Sequence, residues 1–197
     1  MCSAKTEAIE GTPLQIELKN HWLGKDELPI VVETTTISIF PSRLIIYDAT
    51  FTAGTEKVTF DDTKEGLFGV RVATTMREKV GGIVVNAEGK KGTKECWGQP
   101  SKWVDYTGPV DGKLYGVAIM DDPANFRPSR YHVRDYGLFS VSPFGEGSYQ
   151  NDKSKALPVV LEPGKSLKLK YGLYVHAGDV AEGKVADAYE QFLKATK

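Results

Sequence analysis

The chain predicts a mainly β fold, an antiparallel sandwich with one C-terminal α-helix. Three observations predict the β class. Strand-like runs of alternating or β-branched residues recur along most of the sequence, Gly/Pro/Asp/Lys-rich clusters separate them, and only the last stretch changes to a helical period. Leu14, Ile16 and Leu18 alternate with polar residues. Pro29–Phe40 is rich in Val, Ile and Thr, and Ser42–Ala53 follows directly after Pro41, so the two predict adjacent antiparallel strands. Leu67–Thr74, Gly81–Ala87, Lys113–Asp121, Tyr131–Val141 and Ser166–Gly178 continue the pattern. Turn chemistry marks Ala87–Gly92, Thr107–Lys113 and Leu161–Ser166. From Asp179 to Ala195, apolar residues including Val185, Ala188, Tyr189 and Phe192 recur at helical spacing, with Asp179 as the expected N-cap. Such a helix covers a sheet face or edge more often than it binds a partner. A closed barrel is the alternative architecture.

At 197 residues the chain fits a single domain. The 25 Lys and Arg residues against 26 Asp and Glu give a net charge of −1, without the basic excess that nucleic acid or an anionic membrane attracts. No apolar run approaches the ~18–20 residues of a membrane span. The opening residues lack the apolar core of a secretion signal; a soluble protein is expected, periplasmic or secreted if a leader has been removed. Cys2 and Cys96 stand far apart with no zinc-type spacing, and Cys96 reads as a small, partly buried thiol. His21, His132 and His176 give no metal signature either, so neither metal nor cofactor is expected. No nucleophile elbow, P-loop or dinucleotide fingerprint is present.

The segment Asn125–Gly147 holds the densest polar chemistry. As one strand it would put His132, Arg134 and Tyr136 on one face and Tyr131, Val133 and Asp135 on the other. A row of hydrogen-bonding groups on a sheet suits an oxygen-rich ligand. His132 is the candidate general acid/base, and Arg127, Arg130 and Arg134 offer forked donors. A second cluster, Glu95–Gly112, supplies the aromatic faces of Trp97, Trp103 and Tyr106 beside the carboxylate of Asp105, a combination that suits sugar rings; its bland alternative is a loop anchored by aromatic packing. Arg71 lies within a strand, where it is either ion-paired or a ligand contact. Glu33, Asp62 and Asp105 are candidate carboxylates, Glu33 facing either solvent or the interior.

The runs Asp62–Ala73 and Cys96–Phe139, followed by Pro143-Phe144-Gly145, resemble the bacterial family named methane oxygenase PmoA. The name does not transfer as an activity, because this chain has neither a membrane span nor a copper-like ligand set. The resemblance implies a β-rich sandwich of the galactose-mutarotase type, with this chain as the C-terminal part of the family's longer domain, and a carbohydrate context. Its motif positions are Asp62, Lys64, Glu65, Arg71, Trp97, Trp103, Asp105, Tyr106, Asn125, Arg127, His132, Arg134 and Tyr136. The chain departs from the family pattern at Asp121-Asp122-Pro123, Tyr131-His132 and Ser142–Gly145, and it begins after a His-His-Arg-Gly-like segment that the family carries upstream.

Two functional readings follow. In one the protein is an enzyme acting on a sugar or sugar derivative, with His132 and Asp105 as acid/base pair and Arg71, Trp97, Trp103, Tyr106, Asn125, Arg127, Arg134 and Tyr136 holding substrate. In the other it is a non-catalytic carbohydrate-binding or structural module. Both expect a small-molecule or oligosaccharide ligand and no nucleic acid or membrane partner, and both are compatible with oligomers.

Overall fold

The computed structural model describes residues 2–9 and 11–196. Its strands are β1 (Cys2–Ile9), β2 (Leu14–Leu23), β3 (Pro29–Ile39), β4 (Leu44–Ala53), β5 (Val58–Phe60), β6 (Phe68–Arg71), β7 (Ile83–Asn86), β8 (Trp103–Val110), β9 (Lys113–Asp121), β10 (Arg130–Val133), β11 (Leu138–Ser142), β12 (Val159–Leu161) and β13 (Ser166–Ala177). The helices are α1 (Thr93–Cys96), α2 (Glu146–Gln150) and α3 (Val185–Ala195). An eight-stranded sheet runs β1-β2-β3-β4-β13-β9-β8-β7, antiparallel at every step. A three-stranded sheet, β10-β11-β6, and a two-stranded ribbon, β12-β5, complete the β structure. The fold is thus a mainly antiparallel β-sandwich with a C-terminal helix. No helix among the described residues is long and apolar enough to cross a membrane.

Side-chain alternation on the central strands builds two cores. On β8, Val104 and Tyr106 face the small sheet, where they meet Tyr131, Val133, Phe139 and Val141, all fully buried. Trp103 faces the other way, packing with Ala118 and Met120 against Val185, Ala188, Tyr189 and Phe192 of α3. Both faces of this part of the large sheet are therefore covered, and apolar residues recur without a polar face on β8 and β9. Burying a side chain the size of Phe192 contributes roughly 1.5–3 kcal/mol relative to leaving it exposed.

Three expectations need correction. Tyr131–Val141 is two strands rather than one: the chain reverses at Arg134–Gly137, where Gly137 adopts φ 90° and the Gly137 N–H donates to the Arg134 carbonyl at 3.0 Å. Trp103–Val110, whose end falls within the expected turn Thr107–Lys113 and whose bland alternative is a loop, is an interior strand of the large sheet. The terminal helix begins at Val185, not Asp179, because Lys184 takes a left-handed conformation. Asp179 instead caps the preceding turn, accepting from the Ala181 and Glu182 N–H groups at 2.9 Å each.

Candidate active site

The outer face of the three-stranded sheet carries the polar row. Cross-strand register sets His132 of β10 beside Ser140 of β11, and Ser140 beside Gly69 of β6. Gly69 is fixed by close approach, since a Cβ there would lie 2.4 Å from the Ser140 Cβ. Tyr131 and Val133 point inward, so His132 points outward, yet it is only 4% exposed. The covering groups are aromatic and polar: Trp97 and Tyr149 present ring edges to the imidazole at 6.2 and 6.1 Å.

The tautomer of His132 follows from its partner. Nδ1 lies 3.1 Å from the Lys64 carbonyl oxygen, which also accepts from the Tyr149 hydroxyl at 3.1 Å. A carbonyl only accepts, so Nδ1 carries the proton and Nε2 holds the free lone pair of the neutral ring. Burial lowers the His132 pKa, opposed by the Lys64 hydrogen bond and by Glu65, whose carboxylate lies 3.9 Å from Nδ1. A His whose folded pKa is depressed contributes stability that is present above its ordinary 6.5 and is lost as pH falls through the lower folded value. Thermal unfolding followed from about pH 7 down to about pH 5 should show this acid loss, and His132→Gln should flatten it. An unchanged acid limb in that variant would mean that His132 does not resist protonation in the folded protein.

Next to Trp97, and not lined by His132 itself, opens a cleft of about 710 Å³ walled by Trp97, Arg134, Glu78, Lys91 and Thr93. Tyr106 pins two of its walls from the core: its hydroxyl accepts from the Glu78 N–H at 2.7 Å and donates to the Arg134 carbonyl at 3.2 Å. Glu78 in turn accepts from the Thr93 N–H at 2.8 Å and from the Thr93 hydroxyl, fixing the start of α1 and so the position of Trp97 at its end. Trp97 is half-buried, and its Nε1–H is buried without an acceptor. A smaller hollow of about 310 Å³ lies over Gly69 and Ser140, bounded by Glu65 and Arg71. Arg71 and Arg134 both approach the Tyr136 ring, 5.6 Å from its centroid.

The structure therefore brings together His132, Arg134, Tyr136, Arg71 and Trp97, and separates the other candidates from them. Asp105 is not a partner of His132. It shares the Trp103 side of β8, across the large sheet, where its Oδ1 meets His176 Nε2 at 2.9 Å and its Oδ2 accepts from the Thr107 hydroxyl at 2.5 Å. Trp103 and Tyr106 are 9% and 0% exposed and offer no ring face to a ligand. Asn125 is committed to a turn, donating to Asp121 Oδ1 at 2.8 Å and accepting from the Lys170 N–H at 2.8 Å. Arg127 ties Phe126 to the Leu157 carbonyl. Arg130 makes a forked pair with Glu146, at 2.9 and 2.6 Å, and is not available either. Asp62 anchors α2 through the Gly147 and Ser148 N–H groups. Residues that sequence reasoning did not select, Glu78, Thr93 and Tyr149, build the cleft; the Glu-x-Val and Gly-Thr turns that place them carry no local signal of a site.

Burial holds the Cys96 thiol up at about 11, so this side chain is no nucleophile near neutrality. The Cys2 side chain lies outside the described residues. Among the described residues no group of three or more His, Cys, Asp or Glu side chains is placed to hold a metal ion.

Comparison with known proteins gives the chain a family. Residues 3–190 match the profile of a family of unknown function, DUF6807. The chain belongs to that family. A comparison with curated proteins gave no match. Among solved structures, the fold is similar to that of a candidate aldose 1-epimerase from Klebsiella pneumoniae, with a TM-score of 0.42 and 12% identity over 96% of this chain. The chain spans 57% of the length of that protein. The family's matched region contains the small sheet, the cleft and α3 up to residue 190, so the site described above lies within it.

Proposed function

We propose that the protein binds a carbohydrate ligand in the cleft between Trp97 and Arg134. The observation that carries this reading is the pairing, in one open cleft of about 710 Å³, of a half-buried indole with a guanidinium that makes no hydrogen bond among the described residues. A sugar ring offers C–H faces to the indole and hydroxyl oxygens to the guanidinium. Isothermal titration against a glycan panel tests it. Trp97→Ala should weaken binding of any glycan ligand by about tenfold or more. Equal affinity in wild type and variant would place the ligand elsewhere.

A second reading, acid/base chemistry on the bound sugar, is favoured by one specific feature: the neutral His132 ring with its Nε2 lone pair free of protein donors. Glu65, exposed beside the imidazole, takes the place of Asp105 as the nearby carboxylate in that reading. His132→Ala would then lower turnover by about 10²–10⁴-fold while leaving glycan affinity within a few fold. We also propose that DUF6807 and the group named methane oxygenase are one family, since the motif runs Asp62–Ala73 and Cys96–Phe139 fall inside the matched residues 3–190.

A further inference from the structure

The outer face of the small sheet carries more positive charge than a neutral sugar requires. Arg71 ends β6, and Arg134 opens the turn between β10 and β11. Each guanidinium carbon sits 5.6 Å from the centroid of the Tyr136 ring, so the two cations are no farther apart than twice that distance. Neither has a hydrogen-bond or carboxylate partner among the described residues. Arg77 adds a third. Its stem runs against the same turn, where a Cβ on Gly137 would lie 3.2 Å from the Arg77 Cγ, and its Nε is buried without an acceptor. By contrast Arg130 is paired with Glu146 and Arg127 with a carbonyl.

Two guanidiniums held against one ring repel each other, and a buried N–H without an acceptor, as at Arg77 Nε, is costly. The Tyr136 ring offsets part of this through its negative face, but it supplies no acceptor for the forked N–H groups. The rim carboxylates Glu65 and Asp135 are exposed, and neither forms an ion pair with Arg71 or Arg134. What the arrangement lacks is an oxyanion.

We propose that Arg71 and Arg134 form an anion subsite, so that the sugar taken up in the cleft bears a carboxylate, sulfate or phosphate group. This rests on reading the cleft as a carbohydrate site. The Arg134 guanidinium borders the larger cleft and the Arg71 guanidinium the smaller hollow, with Tyr136 between them. A sugar ring against Trp97 would direct its charged substituent to that junction, where forked donors match paired oxygens.

Titration of the whole chain with a uronate oligosaccharide, its neutral reduced counterpart, a sugar sulfate, a sugar phosphate and inorganic sulfate tests this. One charged sugar class should bind about tenfold or more tighter than the neutral one, as expected for hydrogen bonds to a charged group. The preference should shrink with added salt. Arg71→Ala should abolish it; Arg71 is exposed, so the melting temperature of that variant should stay within a few degrees of wild type. Arg134→Lys, which keeps the charge and loses the fork, should remove most of it. Which charged sugar wins identifies the oxyanion. Equal binding of neutral and charged sugars, or a preference that survives Arg71→Ala, overturns the subsite and leaves the carbohydrate reading intact. Inorganic sulfate bound through Arg71, with no sugar bound, supports the anion site and removes the sugar. Absence of all binding overturns both.

Discussion

Asp105→Ala is expected to cost about 3–5 kcal/mol of stability, the range for breaking a buried ion pair from one side. Asp105 and His176 are each 1% exposed. Burial by itself would lower the His176 pKa, but the hydrogen bond and the charge of Asp105 outweigh it and hold it above the ordinary 6.5. The imidazole has no room to move away. It is enclosed by two glycines, Gly116 on β9 and Gly183 before α3, where an added Cβ would lie 2.3 and 2.0 Å from ring atoms. Losing Asp105 leaves an imidazole nitrogen in a sealed site with no acceptor, and the ring must also shed its proton. Thr107 loses its own acceptor as well. Because domains are stable by only about 5–15 kcal/mol, the variant should sit near its unfolding threshold at room temperature. The pair also sets the alkaline limb of stability. A His whose folded pKa is raised contributes stability that is full below 6.5 and is lost as pH rises through the folded value. Urea unfolding of wild type and variant at about pH 6 and pH 8 should therefore differ most at the lower pH. A loss below about 1 kcal/mol at both would be the cost of one ordinary hydrogen bond and would contradict a charged pair.

Glu33→Ala should also be strongly destabilising, by about 2–4 kcal/mol, because it strips one acceptor from several donors at once. The carboxylate is 4% exposed on the inner face of β3. Oε1 accepts from the Tyr47 and Thr35 hydroxyls at 2.9 Å and from Asn20 Nδ2 at 3.3 Å, and Oε2 accepts from Trp22 Nε1 at 2.9 Å. Each donor comes from β2, β3 or β4, so the residue staples three adjacent strands. Glu33→Gln is the sharper test. An amide can keep its oxygen toward the three donors only by turning its NH₂ toward the Trp22 N–H, donor against donor. The near-isostere should therefore lose more than about 1 kcal/mol in denaturant unfolding. If glutamine is tolerated without loss, the four-donor description fails.

These two networks show what the sequence could and could not convey. Strand periodicity is a local signal, and it located the strands of the large sheet from Leu14 to Ala53 and at Lys113–Asp121 and Ser166–Gly178 to within a few residues. It failed where both faces are buried: in Trp-Val-Asp-Tyr-Thr at 103–107 the polar Asp105 and Thr107 are as buried as their neighbours, because one face packs on the small sheet and the other on α3. The face of Asp105 follows from the parity of β8, which is visible only once that strand is recognised, and so its pairing with His132 was the wrong one. The reversal at Gly137 was hidden by hydrophobic residues on both sides of it, yet it returned Tyr136 to the neighbourhood of Arg134 through the turn rather than along a strand. Long-range anchors such as Tyr106 on Glu78, or Tyr149 over His132, leave no mark in local sequence.

The central claim is that a sugar occupies the cleft beside Trp97, and the three tryptophans give separate reporters of it. Trp22 Nε1 is bound to Glu33, Trp103 lies in the helix-side core, and only Trp97 lines the cleft. Indole ¹H–¹⁵N resonances followed during titration with neutral and charged glycans, with Trp97 assigned by Trp97→Phe, read each environment directly. The account predicts a saturable shift of the Trp97 indole signal with at least one glycan while the Trp22 and Trp103 signals stay in place. A glycan that binds and moves either of those signals while Trp97 stays fixed, or a panel in which no glycan moves Trp97, would contradict it.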